Sequence, residues 1–181
     1  MEINNFRLIM CIWLLFQLSG CINPVKPIVD GQNSNLDIDE GFLLVAIDTN
    51  FSLDKIKIKG AKYFFLSREN LHPGGNYILF KAPAGEYRFD KVYLNYIYAY
   101  ELEEEYWSFQ INPEVISYVG HLTVDQNLFK LLARIELENR STEALEFLEE
   151  NFSELIETKN IQYAGPGKDD FFNIVAQTQG K

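Results

Sequence analysis

The chain has 181 residues, 16 Lys+Arg against 26 Asp+Glu for a net charge of −10, and 47% hydrophobic and 14% aromatic residues. This is the composition of an ordinary globular protein, neither disordered nor collagen-like, with room for one domain and an appendage. A pI near 4.7 gives a field that repels phosphates and argues against a nucleic-acid partner.

The first feature in chain order is an apolar run, Leu8 to Leu18, broken only by Gln17 and preceded by Arg7. Eleven residues at helical rise span about 16 Å, roughly half of a hydrocarbon core. The run is too short to cross a bilayer and has the length of a secretory h-region. It ends in Leu18-Ser19-Gly20-Cys21, which resembles the lipobox of bacterial lipoproteins. That resemblance implies a signal peptide over residues 1–20, lipidation of Cys21 and attachment to a membrane through the lipid anchor. The family carries three acyl chains, and two or more suffice for stable anchoring. Ile22 stands where an aspartate would retain a lipoprotein in the inner membrane. In a Gram-negative source the expected place is therefore the outer membrane, facing the periplasm. Loss of residues 1–20 removes Glu2, Arg7 and Cys11. The charge is unchanged, and Cys21 remains as the single cysteine, so no disulfide is expected.

Residues 21–40 are expected to be the lipidated cysteine and a flexible tether. Ile22 to Glu40 holds two prolines, an Asp-Gly step and an Asn/Ser cluster, with no helix or strand period. Nineteen flexible residues have an r.m.s. span of roughly 25 Å. Asn35, Asp37 and Asp39 fail as a calcium loop, because Glu40 and Ala46 occupy the positions that need Gly and Glu.

From Gly41 the period becomes two. Gly41 to Asp48 is apolar on both faces and suits a central strand. Ile56 and Ile58 alternate with Lys55, Lys57 and Lys59; Tyr87 and Phe89 alternate with Glu86, Arg88 and Asp90. Val92 to Tyr100 reads as a strand with Tyr96, Tyr98 and Tyr100 on one face. Trp107, Phe109 and Ile111 share a face. Ile116, Tyr118, Gly120, Leu122 and Val124 oppose Ser117, His121 and Thr123. Phe129, Leu131, Ala133, Ile135 and Leu137 oppose Lys130, Arg134 and Glu136. Turn chemistry separates these runs at Asn50, Gly60, Pro73-Gly74-Gly75-Asn76, Pro83-Ala84-Gly85, Asn112-Pro113 and Asp125-Gln126-Asn127. The expectation is a mainly β chain: a small antiparallel β-sandwich over 41–138, with a barrel as the alternative, followed by a C-terminal helical extension over 139–181. In that extension Leu145, Leu148, Phe152, Leu155 and Ile156 recur at three and four. This predicts an amphipathic helix of about 15 residues capped by Ser141 or Thr142 and covering one sandwich edge or end. Asp169 or Asp170 would cap a second, shorter helix.

Two segments resemble a group of bacterial lipoproteins of unknown function with a prealbumin-like or carboxypeptidase-regulatory-like sandwich. One is Ala82-Pro83-Ala84-Gly85-Glu86-Tyr87-Arg88-Phe89; the other is Ile111 to Gly120, in which Glu114 stands where that group has glycine. The resemblance implies the fold and the location, and brings no catalytic residues.

Chemistry-bearing residues are sparse. His72 precedes Pro73 in a turn, and His121 falls on the polar face of a strand; both read as surface histidines. A Ser117–His121 pairing lacks an orienting third group and a Gly-x-Ser-x-Gly elbow. Neither histidine has a ligand at metal-site spacing. Gly165-Pro166-Gly167-Lys168 reads as a turn, since Asp169 replaces the Ser/Thr of a phosphate loop. Glu101, Glu103, Glu104 and Glu105 read as a solvated hairpin tip. Tyr96, Tyr98 and Tyr100 have two readings: rings packed in the sandwich or under the C-terminal helix with their hydroxyls at its rim, or a contact face for an envelope protein or a glycan. No catalytic residue, metal or cofactor is expected. The functional expectation is a lipid-anchored cell-envelope protein acting as a non-catalytic binding or structural module. The alternatives are an accessory subunit of an envelope or secretion complex and a periplasmic hydrolase.

Overall fold

The computed structural model describes residues 24–29, 35–127 and 132–178. It is mainly β: two five-stranded sheets packed face to face, with helices on the outer face of one of them. The strands are β1 (Glu40–Thr49), β2 (Lys55–Gly60), β3 (Phe64–Ser67), β4 (Gly74–Pro83) and β5 (Gly85–Tyr93). They continue with β6 (Ala99–Glu101), β7 (Ser108–Ile111), β8 (Ile116–Asn127) and β9 (Leu132–Glu138). Then follow α1 (Ser141–Asn151), α2 (Ser153–Thr158), β10 (Ile161–Tyr163) and α3 (Phe171–Thr178).

The covered sheet runs β4-β1-β8, and the far edge of β8 is shared by β10 beside its first half and β9 beside its second. The open sheet has the same plan, β3-β2-β5, with β7 and β6 dividing the far edge of β5. Apolar alternation decides what lies between the sheets. Leu43, Val45 and Ile47 face Ile56, Ile58, Phe89 and Val92 across one core, while Phe42, Leu44 and Ala46 face α1, α2 and α3 in a second. β1 is thus buried on both faces, as its continuous apolar run requires. Its pairing with β8 is parallel, as is that of β10, so antiparallel pairs dominate without being universal.

The helices differ in placement from the expectation. They lie over a whole sheet face, where an edge or end was expected. The helix over 141–158 is broken at Phe152, whose φ of −145° and ψ of 40° leave the helical region. Ser141 does not cap by itself: its N–H and its hydroxyl both donate to Asn139 Oδ1, at 3.0 and 2.7 Å. Asp169 caps α3 as expected, accepting the N–H of Phe171 at 2.8 Å.

The described parts of the expected tether lie on the sandwich. Pro24 bridges to Phe65 on β3, and the Val25 N–H donates to the Phe65 carbonyl at 3.0 Å. The Ile28 N–H then reaches the Leu79 carbonyl on β4 at 2.7 Å. Val25 is buried in the inter-sheet core. This segment laces the exposed edges of both sheets, where unpaired backbone groups would otherwise invite another chain.

Candidate functional site

Leu18, Ser19, Gly20 and Cys21 lie outside the described residues, so the lipobox has no structural description. The sequence-derived tyrosine face is redistributed. β5 stops at Tyr93, and residues 94–98 form a turn in place of a continuous strand. Asn95 makes that turn: its Oδ1 accepts the N–H groups of Ile97 and Tyr98 at 2.8 and 2.9 Å. Tyr96 and Ile97 stand 89% and 83% exposed at the tip, and Tyr98 is half exposed. Tyr100 sits in β6 and turns inward, packing on the inter-sheet core while its hydroxyl accepts the Ala133 N–H at 3.3 Å. The structure therefore brings Tyr96 and Tyr98 to one turn and assigns Tyr100 to closing the sandwich edge. The glutamate cluster is not a hairpin tip either. Glu101 ends β6, Leu102 is buried, and Glu105 opens a short 3-10 turn to Trp107.

His121 is a correction: it is 3% exposed, not a surface side chain. The reason is a bulge in β8. Leu44 pairs with Tyr118 but Ala46 pairs with His121, so Val119 and Gly120 together oppose Val45. Gly120 adopts φ +109°, and the strand's parity reverses there. Tyr118 and His121 consequently share the helix-side face, while Val119, Leu122 and Val124 enter the inter-sheet core. Ser117 points to the other face from His121, and its hydroxyl accepts from the Asn112 N–H and the Gln162 side chain.

The imidazole is held at both nitrogens. Tyr118 Oη is 2.6 Å from Nδ1 and Tyr77 Oη is 2.9 Å from Nε2. Tyr77, Ala46 and His121 occupy one row across β4, β1 and β8, and the small Ala46 lets the two outer side chains meet above it. The Arg140 N–H donates to Tyr118 Oη at 3.2 Å, which leaves that phenol's own proton for Nδ1. Nε2 then carries the ring proton and donates it to Tyr77. Burial lowers the His121 pKa; Arg140 lowers it further, while Glu143, Asp48 and Glu138 act in the opposite sense. Burial likewise raises the pKa of Tyr77 and Tyr118. The Glu143 carboxylate lies 3.6 Å from Nε2. Through the Arg140 N–H and the Glu143 carboxylate this network ties the covered sheet to the start of α1. His72, by contrast, is exposed, its N–H bonded to Asn76 Oδ1 at 3.1 Å.

The open sheet's outer face has a different character. A bulge at Asp90, between the pairs Lys57–Lys91 and Ile58–Phe89, puts Asp90 and Lys91 outward together. Lys57 pairs with Asp90 at 2.8 Å and Lys91 with Glu101 at 2.5 Å. Lys55 lies over the rings of Tyr93 and Phe65 at 4.4 and 5.9 Å, and Lys57 over Tyr63 at 5.0 Å. A shallow concavity lies on this side of the molecule, bordered by Lys59, Glu86, Arg88, Glu105 and Gln110.

Among the described residues, no group of three or more His, Cys, Asp or Glu is placed to hold a metal ion, and no helix is long and apolar enough to cross a membrane. No family model matches the chain, and neither a curated protein nor a solved structure matches it.

Proposed function

We propose that the chain is a lipid-anchored cell-envelope protein whose sandwich acts as a non-catalytic binding or structural module. The observation that carries this reading is Leu18-Ser19-Gly20-Cys21 directly after an apolar run too short to span a bilayer. A module without chemistry of its own is supported by the buried histidine, whose two ring nitrogens are both committed to phenols. The exposed Tyr96-Ile97-Tyr98 turn, fixed by Asn95, supports the reading in which an envelope protein or glycan docks there.

The test is expression of the full chain and of Cys21→Ser in a bacterium, followed by labelled-palmitate incorporation and detergent-phase partitioning. The wild type takes up label and enters the detergent phase; the variant takes up none and retains residues 1–20. An unlabelled wild type, or a variant with unchanged lipid content, would overturn the proposal.

A further inference from the structure

The charge of this molecule is unevenly distributed. From Ser141 to Thr158 the helical layer carries six glutamates and no lysine or arginine. The opposite surface, the outer face of the open sheet, carries Lys55, Lys57 and Lys59, with Lys62 just beyond β2. Among the described residues, Lys26, Lys55, Lys59 and Lys62 have no carboxylate within ion-pair distance, unlike Lys57 and Lys91. Tyr63 and Phe65 stand beside them, Tyr63 half exposed. A chain with ten excess negative charges thus keeps a basic, aromatic strip along β2 and β3, while Glu86, Asp90 and Glu101 share the outer face of the same sheet along β5 and β6.

The chain enters at that same face. Pro24 is bridged to Phe65, and three peptide units separate it from Cys21, so the two Cα atoms are at most about 11 Å apart. An anchor at Cys21 therefore holds the β3 edge close to headgroup level. From this we infer that the β2–β3 side of the open sheet lies against an anionic bilayer surface. Lys26, Lys55, Lys59 and Lys62 meet the lipid headgroups, Tyr63 and Phe65 sit at the interface, and the glutamate-bearing helices face away. Charge selects this orientation from both sides, since anionic headgroups attract the lysines and repel the helices. Aromatic rings with a polar tip or a nearby cation suit the interfacial zone. The inference rests on the anchoring proposal above.

The lipidated protein is reconstituted into phosphatidylcholine vesicles with and without phosphatidylglycerol at about one part in three, then floated and treated with an amine-reactive label. Flotation with both vesicle types reports the anchor; mass-spectrometric labelling rates of individual lysines report the face. Labelling of Lys26, Lys55, Lys59 and Lys62 should fall about fivefold on anionic relative to neutral vesicles. Lys168, between β10 and α3, should be unchanged. About 0.5 M salt, which shortens the screening length to a few ångströms, should abolish the difference. In the triple variant K55E/K59E/K62E, all surface positions, Lys26 should lose its protection. Protein that floats but shows equal lysine labelling on the two vesicle types, or protection centred on Lys168, overturns the inference. Protein that floats with neither overturns the anchor.

Discussion

Acidification from pH 7.0 to 5.5 should destabilise the protein through His121. The imidazole is neutral and buried, with both nitrogens bonded to Tyr118 and Tyr77, and burial pulls its pKa below the ordinary value of 6.5. In the unfolded chain the ring titrates near 6.5. Above that pH both states are neutral and the contribution is complete. Below it the unfolded state gains a proton that the folded state refuses, so stability falls until the folded pKa is reached. The unfolded state gains RT ln(1 + 10^(6.5−pH)), about 0.2 kcal/mol at pH 7.0 and about 1.4 kcal/mol at pH 5.5. The difference, about 1.2 kcal/mol, is the ceiling on the loss, and any proton the folded ring takes up by pH 5.5 reduces it. The melting point should therefore drop by no more than about 3–5 °C.

Urea unfolding at the two pH values measures the loss, with His121→Asn as the comparison. The variant is less stable at both values, but its pH difference should shrink to a few tenths of a kcal/mol. The carboxylates with lowered pKa, Asp90 and Asp169, lose their contributions only at more acid pH. An equal pH-dependent loss in His121→Asn would refute the reasoning. So would an NMR titration of the folded imidazole at or above 6.5, since Glu143, Asp48 and Glu138 would then outweigh burial.

Two further predictions concern the loop between β7 and β8. Glu114 has φ +60°, a left-handed conformation that costs a residue with a Cβ about 1 kcal/mol. Glu114→Gly should therefore raise stability by about 0.5–1 kcal/mol in urea unfolding, and Glu114→Ala should not; equal effects would show the backbone is unstrained there. Gly41 lies under that loop, where an added Cβ would fall on the carbonyl oxygen of Asn112, well inside van der Waals contact. Gly41→Ala should cost about 2–3 kcal/mol, and a loss below about 0.5 kcal/mol would contradict the packing described.

Much of the sandwich was legible because most of its strands obey period two. Ile56 and Ile58 go inward and the lysines outward as their alternation demands, and the unbroken apolar run of β1 marks a strand buried on both faces. Several of the errors come from a single residue that interrupts the local period. Gly120 inserts a bulge and carries His121 from the solvent pattern into the second core. Asn95 turns the chain inside an unbroken run of hydrophobic and tyrosine residues, and was the available signal for that hairpin. Phe152, flanked by Asn151 and Ser153, breaks a helix whose apolar period continues across the break. β10 spans only Ile161–Tyr163, too short for any period to register. The lacing of Pro24 and Ile28 onto β3 and β4 is a long-range pairing that local composition does not encode.

The most direct measurement is the intact mass of the native protein extracted from its own envelope, with fragmentation of its amino terminus. The account predicts a chain that begins at Cys21, with its sulfur and amino group carrying lipid and the mass raised accordingly. A chain that keeps residues 1–20, or that ends elsewhere with the Cys21 thiol free, would contradict it.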